Sequence, residues 1–186
     1  MIILASSSPR RHELLKQINV AHEVLSVAVD ESRWPDEAAE DYVLRLALAK
    51  AQAVRALRRD SPVLGADTAV VIDDHILGKP HDRAAGLAML AQLSGRTHYV
   101  YSGVVLVNKT GETQSNISIS AVTFRSISPT ECEAYWDSGE PLDKAGAYAI
   151  QGLGAIFVAH LAGSYSGVMG LPLFETAAML NWHVSS

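Results

Sequence analysis

"IILASSSPRRHELLKQINVAHEVLSVAV" (residues 2–29) decides the fold. "IILA" is an unbroken apolar run of strand length, residues 8 to 18 carry a helical pattern, and "AHEVLSVAV" reads as a second strand. Strand, helix, strand in that order points to an α/β fold. The alternation continues outward. Residues 38 to 59 form a long helix, "PVLGADTAVVID" (62–73) a strand or strand pair, and residues 82 to 93 another helix. Two β-rich runs follow, "HYVYSGVVLVN" and "SISAVTFRSI", joined by the turn-forming "KTGE". Residues 129 to 137 make a short helix after "SP", "AIFVAHLAG" a late strand, and residues 170 to 182 a closing helix. "DSGEPLDKAGAYAIQGLG" (137–154) is the one long irregular stretch, and long loops inside compact domains are often functional.

At 186 residues the chain fits a single domain, residues 1–186, of two lobes. The apolar share of 48% and charged share of 19% are ordinary for a globular domain. A net charge of −5 argues against bulk attraction to nucleic acid or an anionic membrane, while leaving room for a local basic pocket. The single cysteine, Cys132, excludes an internal disulfide framework and suits a reducing cytoplasm, with a small filler on a helix as its expected role. The start "MIILA" reads as a strand rather than a signal peptide, and no apolar run approaches the ~20 residues that span a bilayer. The expectation is a soluble, cytoplasmic protein without a membrane partner.

Three anomalies bear on chemistry. The first is "SSSPRR" (6–11): Ser8 suits an N-cap and Pro9 the first helical position, yet two arginines follow. The first helical turn is the positive end of the macrodipole, where cations are disfavoured by about 0.3–1 kcal/mol each. Two solvated arginines could be tolerated at that level. The other reading is a phosphate nest of free N–H groups, serine hydroxyls and guanidinium forks. The second anomaly lies in the long helix. At 100° steps Tyr42, Val43, Leu46, Ala49, Ala53, Val54 and Leu57 share one face, and Lys50 falls in its middle. Such a lysine either snorkels to the rim or reaches a cleft to hold a polyphosphate or a carboxylate.

The third anomaly is acidic. Asp67 interrupts "VLGADTAVV", a run otherwise suited to a buried strand. A carboxylate there must be paired, hold a metal or line a pocket. Of a structural ion pair and a site residue, the second is the reading taken. Gly65 before it permits close backbone approach. Asp30 and Glu31 follow the second strand, and "GKP" (78–80) places Lys79 in a loop. The seven histidines form no HxH or HExxH pattern, so a metal here is expected to be Mg²⁺ or Mn²⁺ held by carboxylates and phosphate oxygens. No Walker loop, GxGxxG fingerprint or GxSxG elbow is present, and His98 reads as a hydrogen-bonded structural histidine.

Seven stretches in order, "LASSSPRRHELL", "VDE", "VLRLALAKAQA", "VLGADTAVV" with "GKP", "LSGRTHYVYSGV", "EPLDKAGAYAIQGLGA" and "GSYSGVMGLPL", resemble the Maf family of nucleoside triphosphate pyrophosphatases. The resemblance implies an inosine triphosphatase-like α/β fold: a mixed twisted sheet with flanking helices, two lobes around a deep cleft, and a homodimer. It implies hydrolysis of a nucleoside triphosphate to the monophosphate and pyrophosphate with a divalent cation. Asp67 is then the general base, sharing the metal with Glu31, and Ser6, Arg11, Lys50 and Lys79 bind phosphate. Arg10, Thr68 and Gln151 stand where the dTTP/UTP subgroup carries the same residues and the 7-methyl-GTP subgroup tends to Trp, Gln and Glu. A glutamine amide offers both a donor and an acceptor to a pyrimidine edge. The rival expectations are a 7-methyl-GTP-type pyrophosphatase and a non-catalytic nucleotide-binding regulator of septum formation. A nucleic-acid-binding module is disfavoured by the acidic balance and the lack of a basic stripe.

Overall fold

The computed structural model describes residues 1–181. Its strands are β1 (Ile2–Ala5), β2 (His22–Val24), β3 (Val63–Ile72), β4 (His75–Leu77), β5 (Thr97–Val107), β6 (Thr113–Phe124) and β7 (Val158–Ala162). Its helices are α1 (Pro9–Gln17), α2 (Ala39–Leu57), α3 (Arg83–Leu93), α4 (Pro129–Asp137), α5 (Tyr165–Met169) and α6 (Leu173–Met179). The strands form one mixed sheet in the order β2-β1-β3-β5-β6-β7, with β4 paired to β3. This is the expected α/β class. The chain divides into two compact units: Met1–Thr68, Ser102–Ser118 and the residues from Gly170 onward form the first, Ala69–Tyr101 and Ile119–Met169 the second. No helix among the described residues is long and apolar enough to cross a membrane.

In the first unit β1 pairs in parallel with both β2 and β3, Ile3 lying opposite Glu23 on one side and Val63 on the other. The β1–α1–β2 order read from the sequence therefore stands, but the second strand is shorter than "AHEVLSVAV". β1 offers only four residues as a ladder partner. Leu25 still donates its N–H to the Leu4 carbonyl at 3.1 Å, beyond which residues 26–30 join no strand and alternate in exposure. α2 packs on this sheet through Val43, Leu46, Ala47, Ala51 and Val54, all buried. Its buried stripe is rotated from the expected one, leaving Leu57 66% exposed and giving Ala47 and Ala51 the contact with the core of Ile3, Ala5, Val63 and Val105. Small residues belong there because the helix backbone lies against glycines. A Cβ on Gly65 would overlap the Ala47 carbonyl oxygen, and one on Gly103 would sit 3.0 Å from that of Val43.

The second unit explains the other departures. "PVLGADTAVVID" continues into a strand pair through the two-residue turn Asp73-Asp74, whose φ values of 50° and 61° match the right-handed twist of a hairpin. Asp82 caps α3 by accepting the Ala85 N–H at 2.8 Å, and Ser128 with Glu131 forms a capping box on α4. The late strand loses its start because residues 153–157 wind into a 3-10 turn, where Glu140 accepts the N–H groups of Leu153 and Gly154 at 2.8 and 2.9 Å. The closing helix starts three residues later than expected and ends at Met179: Gly170, at φ 121°, and Pro172 at the N-cap delay it to Leu173, and α5 is a separate short helix that the sequence did not suggest. Residue 182 of that expected helix lies outside the described residues. His98 is fully buried here, Nε2 bonded to the Tyr148 hydroxyl at 2.8 Å and its ring edge-on to Phe124. It is the structural histidine the sequence suggested.

Candidate active site

The first unit gathers most of the singled-out residues. Ser6 follows the last residue of β1 and is buried. Ser8 takes the N-cap position of α1 with extended backbone and Pro9 follows, but no side chain caps the helix in the usual way. Instead Ser6 Oγ accepts the Ser8 N–H at 3.2 Å and a second bond from Arg11 Nη1 at 3.2 Å. Arg11 is consequently not a solvated arginine. Its Nε donates to the Gly170 carbonyl at 2.7 Å and its Nη2 to Thr68 Oγ1 at 3.2 Å. Burial pulls its guanidinium below the ordinary value, and the charges of Asp67 and Glu31 push the other way. Among the described residues, three of its five N–H donors are thereby given to protein acceptors. Arg10, next to it, is half-buried and also pulled down by burial.

Lys50 resolves the second anomaly. Its Nζ lies 2.6 Å from Asp67 Oδ1 and 2.6 Å from Glu31 Oε1. The lysine and Asp67 side chains are only 15% and 11% exposed, so this is no snorkelling cation, whereas Glu31 is half-open at 48%. The cause is the seating of α2: glycine at 65 lets the helix backbone approach β3 two residues before Asp67. The acid in the apolar run is thus paired, as its burial requires. Thr68, the next residue, shares a 2.9 Å contact with Ser102 Oγ and lies 3.4 Å from the Gly170 carbonyl. Ser6, Arg11 and Thr68 therefore form one hydrogen-bonded group and Glu31, Lys50 and Asp67 one ionic group, the two meeting at the neighbouring residues Asp67 and Thr68. Lys79 and Gln151 belong to the second unit and are exposed there; Lys79 follows Gly78, whose carbonyl accepts the Gly146 N–H at 3.1 Å.

Two members of this network escaped the sequence reading. Ser102 and the Gly170 carbonyl tie Thr68 and Arg11 in place. Both fall inside stretches that carry the family resemblance, "YSGV" and "GVMG", but the Arg11 contact spans 159 positions and no local pattern signals it.

Among the described residues no group of three or more His, Cys, Asp or Glu side chains converges as a metal site. The pair Glu31 and Asp67 still fits Mg²⁺ or Mn²⁺, since both carboxylates already point an oxygen at a single cationic atom. Hard divalent ions of this kind are commonly held by one or two carboxylates, with waters and substrate phosphates completing the shell.

Comparison with known proteins places these stretches in context. The family described as Maf-like protein matches residues 1–183. The dTTP/UTP pyrophosphatase of Alkalilimnicola ehrlichii is 54% identical, over 97% of this chain and 91% of its own length. The dTTP/UTP pyrophosphatase of Bordetella avium is 52% identical, over 96% of this chain and 93% of its own. Among solved structures, the nucleoside-triphosphatase / dITP/XTP pyrophosphatase of Mycobacterium abscessus aligns with 66% of this chain and 72% of its own, at 19% identity and a TM-score of 0.41.

Proposed function

Since the chain belongs to the Maf family, we propose that it is a nucleoside triphosphate pyrophosphatase that hydrolyses dTTP and UTP. The observation that carries this reading is the convergence of Asp67 and Glu31 on Lys50 beside an arginine-bearing helix start. Water attacks the α-phosphorus, forming a P–O bond as the bond to the bridging oxygen breaks, and pyrophosphate leaves with that electron pair. Asp67 orients the water and takes its proton. Lys50, the Arg11 guanidinium and the Ser6 hydroxyl stabilise charge on the phosphate oxygens, and the family resemblance assigns the same role to Lys79. A divalent cation held by Glu31 and Asp67 would supply Lewis-acid polarisation of those oxygens. Arg10, Thr68 and Gln151 set the choice of base, the Gln151 amide reading a pyrimidine edge through one donor and one acceptor.

The test is a substrate panel. Pyrophosphate release is followed with dTTP, UTP and 7-methyl-GTP, each with Mg²⁺ and with Mn²⁺. Rapid release from dTTP and UTP is the expected result. Preference for 7-methyl-GTP would overturn the base assignment, and binding without turnover of any nucleotide would return the chain to the regulator class. The family resemblance also supports a homodimer and the single cysteine a cytoplasmic setting, which sedimentation of the purified chain and fractionation of cells would check.

A further inference from the structure

Glu31 is the exposed member of the cluster, and the segment that carries it belongs to no strand or helix. It is held from α2. The Tyr42 hydroxyl donates to the Glu31 carbonyl at 3.1 Å, and Arg45 Nη2 donates to the Ser32 carbonyl at 3.0 Å. The same guanidinium grips Glu37 through a fork, Nε to Oε1 at 2.5 Å and Nη2 to Oε2 at 2.7 Å. The Glu37 side chain is 5% exposed, so this is a buried carboxylate held by the Arg45 guanidinium. Around it the segment closes on itself: the Trp34 N–H donates to Glu37 Oε2 at 3.1 Å, and Arg33 donates twice to the Glu37 carbonyl, at 2.8 and 3.2 Å. Arg45 also stacks on the Trp34 ring, 4.2 Å from its centroid, and lies 5.6 Å from that of Tyr42. Every contact in this set falls within the first unit.

A fork bonded to both oxygens of a carboxylate, with a planar stack on an indole, demands guanidinium geometry and not merely positive charge. Two devices on one helix therefore meet at Glu31. Lys50 takes its carboxylate, and Tyr42 and Arg45 take the backbone on which that carboxylate is mounted. We propose that Arg45 is a positioning residue of the active site: it fastens residues 31–37 to α2 and so keeps the Glu31 carboxylate on Lys50. The proposal rests on the pyrophosphatase reading for its catalytic consequence and on the hydrogen bonds alone for the clamp.

Arg45→Lys keeps the charge and removes the fork. Amide hydrogen exchange in residues 31–37 should quicken while the amides of α2 past Leu46 keep their wild-type rates. The kcat/KM for dTTP should fall by about 10- to 100-fold, the range for residues that orient a metal-site ligand, and the Mn²⁺ concentration for half-maximal rate should rise. In a Glu31→Gln background the same change should lower kcat/KM by less than about threefold, because the residue acts through Glu31. Should Arg45→Lys fail to fold, Tyr42→Phe deletes one hydrogen bond to the segment and takes the same measurements. Unchanged exchange in 31–37, or an equal loss in both backgrounds, overturns the proposal. A wild-type chain inert toward dTTP and UTP would instead defeat the pyrophosphatase reading, and the exchange rates would then decide the clamp by themselves.

Discussion

Gly65→Ala tests the link between packing and chemistry, because the added methyl has only one direction in which to go. A Cβ at Gly65 would overlap the Ala47 carbonyl oxygen and stand 3.0 Å from Ala51 Cβ and 3.1 Å from the Ala47 carbonyl carbon. Ordinary contacts lie at about 3.4–4.0 Å and the overlap with the Ala47 oxygen is the deepest of the three, so α2 would have to recede by roughly 1 Å or more. The obstacle is helix backbone rather than the end of a flexible side chain, which places the cost at about 1–3 kcal/mol. For a chain of this length that corresponds to a melting midpoint lower by roughly 3–10 °C. Lys50 rides on the same helix, between Ala47 and Ala51, and its 2.6 Å contact with Asp67 would lengthen with the displacement. Misplacement on the scale of 1 Å can cost about 10²-fold in rate. Thermal melts by circular dichroism and pyrophosphate release from dTTP measure the two effects. Gly78→Ala, whose Cβ would meet nothing within 4 Å, serves as the stability control. A wild-type midpoint in Gly65→Ala would refute the seating of α2 on β3. A lowered midpoint with wild-type kcat/KM would refute the claim that this seating places Lys50.

Asp67→Asn should leave the melting midpoint near wild type and reduce kcat by at least about 10²-fold, the low end for loss of a general base, and wild-type turnover in this variant would remove Asp67 from that role. Chelation with EDTA should abolish pyrophosphate release, with Mn²⁺ or Mg²⁺ restoring it; full activity in chelator would contradict the metal assignment of Glu31 and Asp67. His98 supplies a pH dependence, since burial pushes its imidazole from 6.5 down to about 4. The unfolded chain takes up this proton below pH 6.5 while the folded chain stays neutral down to about 4, so the group destabilises the fold as pH falls through that window. At pH 5 the loss is about 2 kcal/mol relative to pH 7.5, and His98→Gln should remove that part of the difference in denaturant melts. An equal pH sensitivity in the variant would exclude the buried imidazole as the source.

The residues that stood out from their surroundings along the chain are those that meet in the structure. Asp67 broke an apolar run, Lys50 broke an apolar helix face, and Arg11 sat at the wrong end of a helix; Lys50 is bonded to Asp67, and Arg11 is bonded to the next residue, Thr68, within the field of Asp67. A misfit of this kind is legible because strand and helix periods are written over a handful of neighbouring residues, so an exception to the period shows without a structure. Element order was legible for the same reason, from the β1–α1–β2 start to the short helix α4 that begins after Ser128.

What tertiary structure alone decided is who partners whom. The sequence presents Lys50 equally well as a snorkelling cation or a site residue, and the close approach of α2 over Gly65 chose the second. It presents "AHEVLSVAV" as one strand, and the four residues available in β1 cut the ladder at Val24. It gives no sign that the Gly170 carbonyl holds Arg11, nor that Glu37 is buried under Arg45. Propensity and periodicity act between near neighbours, whereas these pairings join residues whose separation along the chain is bridged only by the packing of whole elements, and that information is created when the chain folds.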